Sequence, residues 1–396
     1  MSRHFKDWLA TFVQYASYGE APDNTLYWTG VSVLAGALRR KVWIDQFYFK
    51  WTPNFYVILV APPGIISKTT TMDIGMDLLR QVPGIKMGPN IITWQSLVTC
   101  FAEAGESFLL NEEWLTMSPV TLASGEFGNL LNPQDREMVD LLVTLWDGKA
   151  GIFEKRTKNS GNDKIVNPWI NILACTTPAW IAGNFPEYMI GGGFVSRSIF
   201  VFADKKARYV AYPGMCVPQN ISGISAMLTE DLEHISLNLV GEYHLSKEAL
   251  EWGEKWYRDH YEHPNPMLDE LRFGGYKARK QTHIHKLAMI IAASRRDELV
   301  ITLEDIIDAE QRVTQLETDM TEVFSRIGTT DEAFHAQRLL NMIKMRNGMR
   351  YTEAYRLVHA HFPQARQFEE IVQGFVRSGE LTVEAGEKGI FLRPAR

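Results

Sequence analysis

One uninterrupted apolar run constrains the fold more than any other feature: residues 54–60 are Asn-Phe-Tyr-Val-Ile-Leu-Val. A short run rich in β-branched and aromatic residues is typical of a strand buried on both faces, as in the interior of a parallel sheet. Such a strand needs neighbouring strands and covering helices. Strand patterns occur at residues 107–110, 120–123, 170–174 and 198–202, and helical patterns at about 68–80, 94–103 and 134–146. The alternation predicts an open α/β sheet.

Changes of pattern divide the chain into four predicted parts. Helical spacing before residue 40 predicts an N-terminal helical region, 1–50, and the α/β pattern occupies 51–213. Residues 214–330 are mostly helical in pattern, which predicts a helical lid. A Gly-Thr-Thr-Asp turn then begins a last unit, 331–396, where three helical patterns and a hairpin pattern follow in the order of a winged helix.

Composition narrows the classes of protein to consider. The formal charge of -6 and the pI near 6.0 give no whole-chain attraction to nucleic acid, so any DNA contact must come from local basic patches. The cysteines Cys100, Cys175 and Cys216 are odd in number and far apart, which suits neither a disulfide framework nor a zinc site. Apolar runs stay well short of the ~20 residues of a membrane helix, and the first residues lack the apolar core of a signal peptide. We expect a soluble, cytoplasmic protein that makes no membrane contact.

The segment after the apolar strand has the residue types that bind phosphate. Residues 61–67, here called the Lys68 loop, lead to Lys68 and Thr69 at the predicted start of a helix. Loop amides can surround phosphate oxygens, the lysine can reach the β and γ phosphates, and the threonine hydroxyl can bind magnesium. The standard pattern has glycines where this chain has Pro62 and Ser67, and the alternative is a simple Pro-Gly turn before an exposed lysine. The pattern predicts ATP and Mg²⁺ as cofactors. The predicted binding residues are Pro63, Gly64, Ile65, Ile66, Ser67, Lys68, Thr69 and Thr70.

ATP hydrolysis also requires a carboxylate at the end of a neighbouring strand. Residues 107–113, Ser-Phe-Leu-Leu-Asn-Glu-Glu, resemble the usual pattern of four apolar residues followed by an acidic pair, whereas the segment that ends in Glu126 matches this pattern less well. We favour Glu126 because its strand leads straight into a helix and therefore opens at its carboxyl end into the site. Thr69 and Glu126 are then the predicted metal ligands.

Hydroxyl groups end another predicted strand, residues 170–174. Thr176 or Thr177 could orient the attacking water at that strand end. The alternative is that these hydroxyls only cap a following helix.

A resemblance to a known family rests on residues 191–201, Gly-Gly-Gly-Phe-Val-Ser-Arg-Ser-Ile-Phe-Val. The Phe-Val-Ser-Arg-Ser part resembles the motif that carries the arginine finger in minichromosome-maintenance helicases. It is also similar to the matching segment of phage and plasmid primase-helicase-type AAA+ ATPases, which form rings. The resemblance implies that Arg197 reaches the γ-phosphate held by a neighbouring subunit. The alternative is an arginine that holds a structural carboxylate at a strand end.

A second match supports the same family. Residues 276–288 are similar to the lid helix that carries the sensor 2 arginine, which implies that role for Arg279, with Lys280 as the fallback. The alternative is a solvated helix face. His283 and His285 are two apart on this helix and do not share a face as zinc ligands would. The resemblance covers roughly residues 50–330 and implies an α/β AAA+ P-loop ATPase core with a helical lid, to which the pattern adds the N-terminal helical layer and the winged helix.

Two predicted surfaces could contact DNA phosphates. The first is a hairpin between residues 146 and 164, where the resemblance places a pore-lining hairpin and where the basic residues are Lys155, Arg156, Lys158 and Lys164. The alternative is a solvated hairpin whose charges protect a sheet edge. The second is the third helix of the winged-helix unit, where Arg366 and Arg377 face outward and the core-facing residues are Phe368, Ile371, Val372 and Phe375.

These features together predict an ATP-driven motor that acts on single-stranded or forked DNA as a homo-oligomer, with a hexameric ring as the expected assembly. A replicative helicase or replication initiator of a phage or mobile element fits best. A DNA loader or packaging ATPase shares the same ATPase parts. The missing glycines of the Lys68 loop leave a third possibility, a catalytically degenerate DNA-binding scaffold.

Overall fold

The computed structural model describes residues 3–157, 161–191, 193–266, 268, 270–324, 331–359, 361–386 and 389–395. The chain divides into two compact units, residues 1–323 and 324–396, and each is described by itself.

The first unit alternates helices and strands. Its elements up to the last strand of the central sheet are α1 (Trp8–Ala16), α2 (Asp23–Leu38), β1 (Val42–Asp45), β2 (Lys50–Trp51), β3 (Tyr56–Val60), α3 (Lys68–Arg80), α4 (Trp94–Glu103), β4 (Glu106–Leu110), β5 (Glu113–Ser124), α5 (Arg136–Trp146), β6 (Ile152–Thr157), β7 (Gly161–Val166), β8 (Pro168–Thr176), α6 (Pro178–Asn184), α7 (Glu187–Gly191) and β9 (Ser198–Phe202). Its remaining elements are α8 (Ile221–Asn238), β10 (Gly241–Glu242), β11 (His244–Leu245), α9 (Lys247–Glu262), α10 (Glu270–Arg295), β12 (Val300–Ile301) and α11 (Leu303–Phe324).

A sheet with the strand order β4-β5-β8-β3-β9 forms the centre of this unit. β5, β8, β3 and β9 run parallel, whereas β4 is antiparallel to β5. Every residue of β3 is buried, as the uninterrupted apolar run predicts for a strand between two neighbours. The predicted α/β fold class is confirmed.

Helix α2 is the buried helix on this sheet. It is apolar on all sides, and 14 of its residues are buried, which is what an all-round apolar helix requires. Asn171 of β8 ties it to the sheet: its amide nitrogen donates to the Ser32 carbonyl oxygen at 3.0 Å, and its amide oxygen accepts from the Phe55 backbone N–H at 3.2 Å. The predicted N-terminal helices therefore lie within the same compact unit as the sheet.

The mostly helical segment after β9 also belongs to this unit. β10 pairs with β1, and β11 pairs with β12, each in parallel. The fully buried Asp305 of α11 accepts hydrogen bonds from Arg295, the last residue of α10, and from Arg296, the residue after it. The segment predicted as a lid, 214–330, thus runs from the first unit into the start of the second.

The second unit contains α12 (Asp331–Met345), β13 (Met349–Arg350), α13 (Tyr351–Val358), α14 (Ala365–Arg377), β14 (Leu381–Gly386) and β15 (Gly389–Pro394). Its strands form a sheet with the order β13-β15-β14. Phe368 and Val372 of α14 are buried in its core, and Ile371 and Phe375 pack against it, as the sequence predicts.

Candidate functional site

The Lys68 loop lies at the carboxyl edge of the central sheet, between the end of β3 and the start of α3. The Ala61 amide donates to the Thr176 carbonyl oxygen at 3.3 Å, which fixes the loop to β8. Ile66 is buried in a small apolar cluster with Ala61 and Ala203, the residue after β9. Gly64 has a φ of +72°, a conformation that glycine adopts without strain. Ile66, with the partly buried Ile65 beside it, therefore anchors the loop, while Pro63 and Gly64 stay exposed.

The first turn of α3 offers hydrogen-bond donors at this edge. Ser67 is the N-cap residue, but its side chain makes no capping hydrogen bond. By helix geometry the amides of Thr69 and Thr70 have no partner within the helix. An anion at this helix end would meet these amides and the positive end of the helix dipole.

Lys68 folds back across its own loop. Its Nζ donates to the Ala61 carbonyl oxygen at 2.8 Å, so the ammonium group lies beside the first residue of the loop. Burial lowers the pKa of Lys68, while Cys175 and Glu126 oppose that shift. The buried Cys175 thiol of β8, with its pKa raised to about 12 by burial, remains protonated near neutral pH.

Thr69 meets the end of β5. A Cβ placed on Gly125 would lie 3.0 Å from Thr69 Cγ2 and 3.2 Å from Thr69 Oγ1, so the threonine side chain packs directly on this glycine. The next residue is the exposed Glu126, whose backbone N–H donates to Ser124 Oγ at 3.3 Å. Lys68, Thr69 and Glu126, three of the predicted site residues, are therefore neighbours at one edge of the sheet.

The competing carboxylates lie at the other end of the same strand. Glu112 is in the turn between β4 and β5, with a φ of 67°, and Glu113 begins β5. At about 3.3 Å per residue, the length of β5 separates Glu113 from Ser124 by roughly 36 Å. Of the three predicted candidates, only Glu126 lies beside the Lys68 loop.

The two threonines at the carboxyl end of β8, Thr176 and Thr177, differ in their contacts. Thr177 Oγ1 accepts the Trp180 backbone N–H at 3.1 Å and caps α6, as the alternative interpretation expects. Thr176 is buried and pairs with Val60, the last residue before the Lys68 loop. Of the two, Thr176 is the residue whose backbone is hydrogen-bonded to the loop, through the Ala61 amide.

Arg197 has a partner in its own chain. Its Nε and Nη2 donate to the two carboxylate oxygens of Asp147 at 3.1 and 3.0 Å, and Nη1 donates to the Gly193 carbonyl oxygen. The residue is only 6% exposed, and its guanidinium lies over the Trp146 ring. This is the arrangement of a structural arginine. The finger role that the resemblance implies stays a prediction, and it would require the ion pair with Asp147 to open.

Arg279 lies in the same cluster and not beside Lys68. Its Nη1 donates to the Gly275 carbonyl oxygen one turn earlier, and its pKa is lowered by burial and by the positive charge of Arg197. Arg197 precedes the amino end of β9, where Ser198 pairs with Tyr56, while the Lys68 loop follows the opposite end of β3. About 13 Å of strand separates the two edges. The structure thus brings the two predicted arginines to each other and away from the loop of their own chain.

The predicted basic hairpin forms as β6 and β7, with Lys155 opposite Asp163 and Lys164 opposite Glu154. Arg156 is on the same strand as Lys155, and Lys158 lies outside the described residues.

In the second unit, Arg366 and Arg377 are exposed on α14, as predicted. Arg366 Nε donates to Glu370 on the same helix at 3.1 Å.

No family model matches this chain, and no curated protein matches it either. Among the helices in the described part of the chain, none is both long enough and apolar enough to span a membrane.

Two contributors to these clusters were not identified from the sequence. Gly125 matters because only a residue without a Cβ leaves room for Thr69, and the signal was a glycine directly before the favoured carboxylate. Asp147 matters as the partner of Arg197, fifty positions away. Its only signal was a charged residue directly after an amphipathic helix, which does not identify a partner.

Proposed function

We propose that this chain is an ATP-hydrolysing motor of the AAA+ type that acts on DNA as an oligomer, as its resemblance to phage and plasmid primase-helicase-type ATPases implies. The observation that carries the ATPase part is the convergence of Lys68, Thr69 and Glu126 at the carboxyl edge of the sheet. In open α/β sheets, ligands bind in the crevice outside the carboxyl ends of the strands, which is the edge where these residues lie. Lys68 and Thr69 begin the helix that follows β3, Glu126 follows β5, and β8 lies between these two strands.

Each residue has a distinct task in this proposal. The Lys68 ammonium leaves the Ala61 carbonyl oxygen and binds the β and γ phosphates, together with the amides at the start of α3. The Glu126 carboxylate accepts a proton from a water molecule while the oxygen of that water attacks the γ-phosphorus. The bond between the γ-phosphorus and the β–γ bridging oxygen breaks, and ADP is released. Thr176 holds that water in line.

Magnesium fits the oxygen donors at this edge. The Thr69 hydroxyl and the Glu126 carboxylate are hard oxygen ligands of the kind that Mg²⁺ prefers. When bound, the ion would neutralise charge on the phosphate oxygens.

The experiment is steady-state phosphate release from ATP, with and without single-stranded DNA. Glu126→Gln removes the proton acceptor but keeps the shape, so turnover should fall by roughly 10²–10⁴-fold. Glu113→Gln, the matched control at the far end of β5, should leave turnover within about twofold of the wild-type rate, because ~36 Å of strand separates it from the site. The reverse ranking would show that the wrong carboxylate is proposed.

The arginine finger can be tested by mixing subunits. If Arg197 acts on a neighbour's nucleotide, Arg197→Ala and Glu126→Gln proteins, each inactive alone, should regain part of the turnover when mixed. If Arg197 is only structural, the mixture should show no gain over the separate proteins.

Two observations favour DNA as the partner. The elements of the second unit follow the order helix, strand, helix, helix, hairpin, which is that of a winged helix, and α14 presents the exposed Arg366 and Arg377. Arg377→Ala should weaken the binding of duplex DNA, because one phosphate contact is lost. The slope of the binding constant against salt concentration, on logarithmic axes, should fall by about one. Arg356→Ala, an exposed arginine on α13, is the matched control and should have little effect.

A binding-only protein is the second candidate function. Pro62 and Ser67 replace the usual glycines, and Lys68 already has a carbonyl partner. Tight ATP binding without phosphate release, in the presence of single-stranded DNA, would favour it.

A further inference from the structure

Three hairpins emerge at the amino edge of the central sheet, opposite the Lys68 loop. The β1–β2 hairpin leads into β3, and the β6–β7 hairpin leads into β8. The β4–β5 hairpin turns at Asn111 and Glu112, beyond the point where β5 begins to pair with β8 at Ser118. Because β3, β5 and β8 are parallel, all three hairpins lie at the same edge.

A half-open cavity of about 240 Å³ lies between these hairpins. Trp43 and Lys50 of the first hairpin, Phe108 and Leu115 of the second and Asn167 beside the third line it, together with Arg40. The volume is below the ~300–1,000 Å³ of a drug-sized site and suits a single planar ring system.

Two cations and no carboxylate are among the described residues that line this cavity. Arg40 is only 9% exposed; its Nη1 donates to the Pro168 carbonyl oxygen at 3.3 Å, and among the described residues no carboxylate forms an ion pair with it. Burial lowers the pKa of Arg40 to about 10, which leaves it charged at neutral pH. An unpaired buried cation favours an anionic ligand.

Two carboxylates on the strands that form this cavity, Asp45 of β1 and Glu106 of β4, already have partners. Asp45 accepts the Phe47 backbone N–H at 2.8 Å and pairs with Lys50 at 3.3 Å. Glu106 pairs with Arg39. The Lys50 ammonium also lies 4.7 Å from the Trp43 ring centroid, so a cation and an aromatic wall are adjacent in the cavity.

The turn of the β1–β2 hairpin presents three consecutive aromatic rings to solvent. Phe47, Tyr48 and Phe49 are 87%, 89% and 53% exposed. The Tyr48 N–H donates to Gln46 O at 2.7 Å, and the Gln46 N–H donates to Phe49 O at 2.9 Å, so the turn is tight. Phe47 has a φ of 63°, which is uncommon for a bulky residue, and three-residue turns with a positive central φ are strained. The chain thus holds apolar rings in water at the tip of a constrained turn.

We propose that this face is a binding site for single-stranded DNA. One base occupies the cavity between Trp43 and Phe108, its phosphate lies at Arg40 and Lys50, and adjoining bases stack on Phe47 and Tyr48. Stacking on exposed rings requires unpaired bases, so duplex DNA should bind weakly here. The inference rests on the proposed function only for its choice of DNA as the partner, and it requires neither nucleotide binding nor hydrolysis at Lys68.

The test is fluorescence anisotropy of a labelled oligothymidylate with the full-length protein, without ATP. Removing Phe47 and Tyr48 together, as Phe47→Ala with Tyr48→Ala, should weaken binding by at least roughly 25-fold, since each stacked base is worth about fivefold or more. The matched control is Tyr209→Ala with Tyr212→Ala, which removes two exposed tyrosines from the segment after β9 and should leave affinity unchanged. Equal losses in both double variants, or none in the tip variant, would overturn the proposal.

Lys50→Gln provides a second readout. It should lower the salt dependence of oligothymidylate binding by about one ion, because a phosphate contact is lost, while thermal stability stays near the wild-type value. An unchanged salt dependence would contradict the proposed phosphate contact.

Two further measurements, binding of thymidine monophosphate and self-association of the protein, test whether a free nucleotide or a second copy of the chain occupies this face instead. Strong Lys50-dependent binding of the free nucleotide without oligothymidylate binding would overturn the proposal in favour of a mononucleotide site. A tip variant that changes self-association but not DNA binding would overturn it in favour of an interface between copies. ATP turnover without DNA should be the same in all these variants, so its absence in the wild-type protein would count against the ATPase proposal alone.

Discussion

The Arg197–Asp147 ion pair gives a stability prediction that distinguishes a structural arginine from a catalytic one. Asp147→Asn leaves the buried guanidinium of Arg197 without its charge partner. Breaking a buried pair in this way costs about 3–5 kcal/mol, but Asp147 is 36% exposed, so water screens part of the loss. We expect a loss of roughly 2 kcal/mol in the free energy of unfolding.

The reverse substitution should cost less. Arg197→Met removes the buried charge and leaves a carboxylate that water can reach, so the expected loss is about 1 kcal/mol. The double variant should resemble Arg197→Met, because no unpaired cation remains. The two substitutions should therefore couple by about 1–2 kcal/mol.

Urea unfolding followed by circular dichroism at neutral pH measures all four proteins. Asp140→Asn, an exposed aspartate on α5, is the matched control and should stay within about 0.5 kcal/mol of the wild-type protein. If the single losses add within ~0.5 kcal/mol, the two side chains are not coupled and the structural role is refuted.

The remaining predictions concern the stability of the protein at low pH and the packing of Thr69 against Gly125. Burial lowers the pKa of His283 to about 3 and that of His285 to about 4, below the ~6.5 of an exposed histidine. Their contribution to stability is therefore fully present above about pH 6.5 and is lost as the pH falls, by up to ~1.4 kcal/mol per pH unit for each histidine. Urea midpoints measured down to about pH 4.5 should show this slope, and His285→Gln should reduce it by about half; a flat profile would contradict the burial argument. Gly125→Ala places a methyl group 3.0 Å from Thr69 Cγ2 and should lower ATP turnover by roughly tenfold for a stability loss under ~1 kcal/mol, whereas equal turnover would show that Thr69 does not need its present position.

Local sequence patterns predicted the bounds of those helices and strands whose ends are not set by contacts with distant residues. α3, α4 and β9 begin and end at the predicted residues, since each has one clear period and a capping or turn residue beside it. β5 is longer than its apolar core at 120–123, because residues 113–117 pair with β4 in a hairpin. That extension depends on the register of a partner strand, which a local pattern does not contain.

The candidate site could be predicted only in part for the same reason. Lys68, Thr69 and Glu126 follow from the rule that carboxyl ends of parallel strands meet at one edge. The ion pair joins Asp147, which follows α5, to Arg197, which precedes β9, fifty positions away in the chain, so no spacing rule could reveal it. Helix α2 shows the opposite case: an apolar surface on all sides is typical of a buried central helix, although the pattern before residue 40 was interpreted as a separate N-terminal layer.

Direct binding of ATP with Mg²⁺, measured by titration calorimetry on the wild-type protein and on Lys68→Ala, tests the central claim most directly. Lys247→Ala, which removes an exposed lysine from α9, is the matched control. If the Lys68 loop holds the phosphates, Lys68→Ala should weaken ATP binding by roughly tenfold or more, the worth of a charge-assisted contact of ~1.5–3 kcal/mol, while Lys247→Ala binds normally. Equal affinity of Lys68→Ala and wild-type protein, or no binding by either, would contradict it.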